Sequence, residues 1–310
     1  MINHYISKDK YEHSTSITMK GLVVGIVSCD AGGAEILSSW ILRYEGDFLV
    51  ALDGPAKNIF KRKVKNLSFA TIEKIVERCD WILTGTGGSN YEKKAIYQAK
   101  KKRKRVVSFL DHWTSYRERF ILNGTLVVPD EIWVGDVDAL RIAQQRVPEV
   151  KSYMVGNPYF NDITKSSNDS KNNKNELIKI LYLSSNFDDR CEVSEGVLSD
   201  FQMLSYTLDL LPKIFKRNEV DSVVIRPHPS ERRDKYKDYL FNEHELCNDQ
   251  NDNLIDSIEE YTHIVGPNSM ALVVGKLRGK FTINVVLEGL YDELIPDKYI
   301  DHVIKISATL

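Results

Sequence analysis

Apolar runs alternate with amphipathic segments from residue 21 onward. Residues 21–28 (GLVVGIVS) form a short run of mostly apolar residues, the pattern of a strand covered on both faces. Residues 34–43 follow with Ile36, Leu37, Trp40 and Ile41 at helical spacing, which is one apolar helix face. The same reading predicts strands at 48–52, 81–84, 105–110, 131–134 and 150–155, and helices at 71–78, 91–102 and 137–145. Residues 164–176 (TKSSNDSKNNKNE) then contain no aliphatic side chain and read as a linker or exposed loop. Beyond them strands are predicted at 178–183, 220–226, 261–265 and 281–286, with helices at 198–215, 254–259 and 269–277. Strands alternating with helices imply parallel sheets covered on both faces.

This pattern predicts an N-terminal tail over 1–20, one Rossmann-like domain over 21–163, a linker over 164–177 and a second Rossmann-like domain over 178–310. The fold class is α/β, with the two domains expected to face each other across a cleft. In open α/β sheets ligands bind beyond the carboxyl ends of the strands, so candidate chemistry is sought there.

Composition narrows the classes of function. Of 310 residues 42% are hydrophobic and 28% charged, and the net charge of −2 argues against a broad nucleic-acid-binding surface. No apolar stretch approaches the roughly 20 residues of a membrane span, and the first twenty residues lack a secretory apolar core. Cys29, Cys79, Cys191 and Cys247 are widely spaced, with no zinc pattern. A cytoplasmic enzyme or binding protein is expected. Lys100, Lys101, Lys102, Arg103, Lys104 and Arg105 end a predicted helix, where cations favour the macrodipole. The alternative reading is a patch for anionic lipid at the inner face of a membrane.

In the first half, the strand ending at Ser28 leads into Cys29-Asp30-Ala31-Gly32-Gly33, small residues at a helix start. Asp30 is either a helix cap or an acceptor of a substrate proton. The loop 84–89 (TGTGGS) lacks the lysine of a phosphate-cradling loop, which excludes that class of ATPase. In 109–120 (FLDHWTSYRERF), Asp111 and His112 pair a candidate general base with its orienter. Trp113 and Tyr116 are either sugar-stacking platforms or anchors of the loop. In the second half, Ser184 and Ser185 follow a strand and offer hydroxyls to phosphate or sugar. The stretch 223–231 (VVIRPHPSE) ends a β-branched run with Arg226, His228 between two prolines, and Glu231. Proline fixes φ and restrains its predecessor, so His228 sits on a rigid extended loop. Imidazole donates to phosphate oxygen or acts as an acid, Arg226 offers a cationic fork, and Glu231 offers a carboxylate to ribose hydroxyls or caps a following helix. Asn268 and Ser269 open the helix at 269–277, where amides and dipole favour an anion. Acids are scattered without metal-ligand spacing, so no metal and no cofactor are expected.

The pair formed by Arg226-Pro227-His228-Pro229 and Gly266-Pro267-Asn268-Ser269-Met270-Ala271 resembles the nucleotide-binding half of GT-B glycosyltransferases. It is similar in particular to bacterial capsule and lipooligosaccharide transferases that use CMP-activated sugars such as sialic acid. In that family a His-Pro motif and a later Ser motif hold the CMP phosphate and ribose; His228-Pro229 matches the first and Ser269 stands at the second. The resemblance implies transfer of a sugar from a nucleotide-sugar donor to a glycan or glycolipid acceptor hydroxyl. The family's base lies in an acidic-acidic-Gly motif, of which Leu52-Asp53-Gly54 keeps one acid, so Asp30, Asp111 and Asp53 stand as alternatives. A nucleotide-sugar epimerase or hydrolase, a teichoic-acid-type phosphotransferase and a non-catalytic binding protein remain the rival readings.

Overall fold

The computed structural model describes residues 22–165, 177–186, 199–216, 219–238, 240–241, 244–245, 247–290 and 293–307. The expected tail over 1–20, most of the expected linker, and Cys191 lie outside them. The chain divides into two compact units with the boundary between Tyr159 and Phe160.

The first unit is built from β1 (Val24–Ser28), α1 (Ala31–Ile41), β2 (Phe48–Leu52), α2 (Ala56–Lys63), α3 (Ile72–Arg78), β3 (Trp81–Thr84), α4 (Asn90–Lys101) and β4 (Arg105–Leu110). A hairpin of β5 (Ile121–Leu122) and β6 (Thr125–Leu126), then β7 (Glu131–Val134), α5 (Val137–Arg146) and β8 (Lys151–Met154) complete it. Its six-stranded sheet runs β2-β1-β3-β4-β7-β8 with every pairing parallel. The unbroken burial of β1 reflects helices on both faces, as all-parallel sheets require. Ile36, Leu37, Trp40 and Ile41 of α1 are buried as their spacing predicts, each such side chain contributing roughly 1.5–3 kcal/mol relative to exposure. Glu35 ties α1 to α2 through Arg62 at 2.5 Å and Lys63 at 2.8 Å.

Helix α6 (Pro158–Lys165) spans the boundary. Thr164 and Lys165, expected in the linker, lie in its last turn, where the Thr164 hydroxyl donates to the Phe160 carbonyl at 2.8 Å. That bond lets a polar residue continue a helix its composition argues against.

The second unit contains β9 (Ile178–Leu183), α7 (Asp200–Ile214), β10 (Val220–Arg226), the short strands β11 (Leu240–Phe241), β12 (His244–Glu245) and β13 (Cys247–Asn248), then α8 (Leu254–Glu260), β14 (His263–Gly266), α9 (Met270–Leu277), β15 (Phe281–Leu287) and β16 (His302–Ile306). Its six-stranded sheet runs β13-β10-β9-β14-β15-β16, again all parallel. Ile180, Tyr182, Leu204, Leu208, Ile225, Val265 and Ile283 form its core. Numbered within its own sheet, the order is 3-2-1-4-5-6, the doubly wound order of dinucleotide-binding folds. The first sheet reads 2-1-3-4-5-6. Each therefore reverses its winding once, between β1 and β3 in the first unit and between β9 and β14 in the second.

Candidate functional site

The residues at the two reversal points come from the loops that leave adjacent strands in opposite directions, which is where open α/β sheets bind ligands.

In the first unit α1 begins three residues earlier than the pattern predicts, so Gly32 and Gly33 occupy its first turn. A Cβ at Gly32 would lie 2.1 Å from Asp111 Oδ2, and one at Gly33 would lie 3.3 Å from the Gly85 Cα. Small residues are needed here for close backbone approach. Asp30 is the N-cap residue of α1 without making the side-chain cap bond. Its Oδ2 instead accepts from the Gly88 amide at 3.1 Å, tying β1's exit to the loop after β3. Asp111 is paired with Arg119 at 2.7 Å, with side-chain exposures of 10% and 16%. Burial pushes the Asp111 carboxyl up while Arg119 pulls it down.

The expected Asp111–His112 couple is corrected. The carboxylate is taken by Arg119, and His112 Nδ1 accepts from the Trp113 amide at 2.9 Å. Trp113 and Tyr116 are buried in the core, and the Trp113 indole donates to Asp136 at 3.1 Å. These rings anchor the loop and offer no stacking face. Asp53 directly follows the edge strand β2, half exposed, and pairs with Lys57 four residues on at 2.7 Å, which lowers its carboxyl.

Glu92, absent from the sequence reading, is a fourth acid of this unit. It is 1% exposed, and its Oε1 accepts the Cys29 amide at 2.7 Å. Burial, with Asp30 adding to it, raises its carboxyl to about 7. Its sequence signal points elsewhere, because Ser89-x-x-Glu92 is the pattern of a capping box. Here the Ser89 hydroxyl caps Tyr91 N and lies 3.4 Å from Glu92 Oε2, while the carboxylate reaches across to β1. Of the candidate bases Asp30 is the one that pairs with no cation and accepts a single amide among the described residues.

In the second unit the Ser184–Asn186 turn leaves β9 at the centre of the sheet. The Ser184 hydroxyl shares a hydrogen bond with the Tyr236 hydroxyl at 2.7 Å, and Ser185 donates to the Pro267 carbonyl at 3.0 Å. The turn thereby joins the loop after β10 to the loop after β14. Since β10 and β14 flank β9, the loop carrying His228 and the helix start at Ser269 follow strands roughly 10 Å apart, on either side of this turn. A Cβ at Gly266 would fall 2.7 Å from the Leu183 carbonyl oxygen, so glycine is required for β14 to leave beside β9.

His228 is half-buried, and its Nδ1 accepts from the Ser230 amide at 3.2 Å. That places the proton of the neutral ring on Nε2. Ser269 caps α9, accepting from Ala271 N at 3.3 Å.

Three assignments change. Arg226 is turned into the loop after β13, where it pairs with Asp249 and donates to the Asn251 carbonyl at 2.9 Å and the Ser257 hydroxyl at 2.6 Å. Its charge is matched within the fold, so it is a strut of that loop. Glu231 meets no helix start, since turns follow over 233–238; its side chain is 1% exposed and faces inward. Asn268, at φ +33°, accepts from Asn284 Nδ2 at 3.3 Å and Ile295 N at 3.1 Å, which makes it a pin between β15 and the segment after it.

Half of the basic run over 100–105 is also engaged. Lys100 pairs with Asp130, Arg105 with Glu131 at 2.8 Å, and Lys104 donates to the Cys79 carbonyl at 2.5 Å. The charge offered to an anionic surface is correspondingly smaller. Among the described residues no group of His, Cys, Asp or Glu has the geometry of a metal site, and no helix is long and apolar enough to cross a membrane.

No protein-family signature matches the sequence, and no curated protein matches it. Solved structures do match in fold. The UDP-GlcNAc 2-epimerase of Methanocaldococcus jannaschii, in complex with UDP-GlcNAc and UDP, aligns with TM-score 0.61 at 12% identity, covering 93% of this chain and 89% of that one. A putative UDP-N-acetylglucosamine 2-epimerase from Listeria monocytogenes aligns with TM-score 0.59 at 11% identity, over 86% and 79%. The glycosyltransferase SnogD from Streptomyces nogalater aligns with TM-score 0.52 at 7% identity, over 94% and 88%. At these identities the likeness is one of fold: two parallel-sheet α/β domains of the GT-B class.

Proposed function

We propose that this chain is a glycosyltransferase that takes a sugar from a nucleotide-sugar donor and delivers it to an acceptor hydroxyl. The observation that carries the reading is the reversal point of the second sheet, where the rigid His228 loop, the Ser184–Asn186 turn and the capped start of α9 leave three adjacent strands. The donor phosphate takes a hydrogen bond from His228 Nε2–H and from the amides at α9, where the helix dipole adds to the attraction. Asp30 is assigned as the base.

In the transfer the acceptor oxygen bonds to the anomeric carbon. The bond from that carbon to the donor phosphate oxygen breaks and its electron pair leaves with the phosphate. The acceptor proton passes to Asp30. CMP as the leaving group rests on the likeness of His228-Pro229 to the His-Pro motif, and a role in bacterial surface glycan synthesis rests on the same likeness.

A second reading, acceptor-free epimerisation or hydrolysis of the nucleotide sugar, is favoured by the fold likeness to the two epimerases. Thermal denaturation with CMP, CDP, UDP and GDP separates the nucleotides. A ligand present at 100 Kd raises stability by roughly 2.7 kcal/mol, and His228→Ala is expected to abolish that rise. Asp30→Asn is expected to keep the nucleotide and lose turnover. Product analysis by NMR with and without acceptor sugars decides the reaction: an altered sugar formed without acceptor sinks the transferase reading in favour of the second.

A further inference from the structure

Behind His228 lies a chain of buried polar groups that the reaction does not use. Glu231 Oε2 accepts the backbone N–H of His228 at 2.7 Å. In the return direction the Glu231 amide donates to the His228 carbonyl at 2.8 Å. The two residues thus close a ring of main-chain and carboxylate hydrogen bonds around the His228-Pro229-Ser230-Glu231 turn. The other carboxylate oxygen accepts Lys235 Nζ at 2.7 Å, and Lys235 also reaches Asp200 Oδ2 at 2.7 Å. The side chains of Glu231 and Asp200 are 1% and 2% exposed. Tyr236, fully buried, stands 3.5 Å from Glu231 Oε1 through its hydroxyl and shares its stronger bond with Ser184. Burial raises the Tyr236 phenol, so it stays neutral in this network.

A buried carboxylate flanked by one cation is costly unless its remaining lone pairs are filled. Here both oxygens are used, one on the His228 loop and one on the cation that anchors the first turn of α7. Pro227 and Pro229 fix φ on either side of His228 but have no backbone N–H to donate. They limit where the loop can go; the carboxylate decides where it stays.

We propose that Glu231 is a positioning residue for His228. Through the His228 amide it locks the turn in which the Ser230 amide meets Nδ1, and so holds the imidazole as a single Nε2–H donor. Lys235 and Asp200 transmit this constraint to α7, and Tyr236 transmits it to the β9 turn. The catalytic value of the lock rests on the reading of His228 as the phosphate partner, while the lock itself does not.

The test uses the full chain in two independent measurements. The first is imidazole 15N NMR, with the His228 signals assigned by their loss in His228→Gln. The wild type is expected to show one tautomer, with the proton on Nε2. Glu231→Ala is expected to show exchange between both tautomers, and Glu231→Gln, which keeps an acceptor for the His228 amide, to remain close to wild type. Lys235 retains Asp200 in both variants, and circular dichroism confirms folding before either is read. Unchanged tautomer populations in folded Glu231→Ala overturn the proposal. If Glu231→Ala does not fold, Glu231→Met, which fills the space but also removes the acceptor for the His228 amide, carries the decision by the same criterion.

The second measurement is calorimetric titration with CMP, CDP and UDP. Glu231→Ala is expected to weaken binding of the nucleotide that the wild type accepts by about tenfold, and Glu231→Gln by less than threefold. Wild-type affinity in Glu231→Ala overturns the positioning role. Absence of binding of every nucleotide to the wild type counts against the proposed function alone, and the tautomer result then stands by itself.

Discussion

Glu92 shows how far a single buried acid departs from its ordinary behaviour. Burial raises its carboxyl to about 7, above the roughly 4.3 of a glutamate in an unfolded chain. The folded protein therefore keeps a proton that the unfolded chain has released between those two values. Stability from this group is fully present below the unfolded value, falls as pH rises through the interval, and is gone once both states are ionised. Glu92→Gln removes the titration. Its stability relative to wild type is expected to rise between about pH 4 and pH 8, by up to about 3 kcal/mol, in urea denaturation across that range. A difference independent of pH would show that Glu92 does not titrate in this way. Other residues were legible only by type. The loop position of His228 and the helix start at Ser269 are readable because proline and capping patterns are local. Arg226 was misjudged because its partner, Asp249, is 23 residues away on another loop.

Among elements, the core strands and most helices follow their apolar spacing closely, since burial on both faces leaves a continuous apolar run. The misses have local physical causes. Helix α2 has no counterpart among the predicted elements: it is short and follows the turn-forming Gly54 and Pro55, and only Ala56, Ile59 and Phe60 bury its face. The β5–β6 hairpin carries its signal in Asn123 and Gly124, both at positive φ, and its two-residue strands are too short to show an apolar run. Helix α7 starts at a complete capping box, Ser199 accepting from Gln202 N and the Gln202 side chain returning to Ser199 N. Ser199→Ala is expected to cost about 1 kcal/mol, read as a lower urea midpoint with unchanged nucleotide affinity. Ser269→Ala removes a comparable cap on α9, and its nucleotide affinity is expected to fall as well. Equal affinity in the two variants would separate α9 from the ligand.

At the scale of the whole molecule, the alternation of strands and helices made the α/β class readable, but strand order was not. The 3-2-1-4-5-6 order of the second sheet depends on which edge each crossover returns to, and residues distant in sequence decide that. The identity of Gly266 is one such decision, visible only once β14 lies beside Leu183. The central position of β9 has a consequence for the way the protein is made. Lys179 on β9 bonds to Thr262, 83 residues later, so at a translation rate of about 5–20 residues per second β14 leaves the ribosome about 4–17 s after β9. Throughout that interval the growing polypeptide exposes a row of backbone groups awaiting their neighbour, a template for association with other nascent chains. Ribosome-bound chains arrested before β14 are expected to be cut by protease within β9 and β10, and chains arrested well past α9 to resist. Resistance in the shorter chains would mean that the early strands shelter themselves before their last neighbour is synthesised.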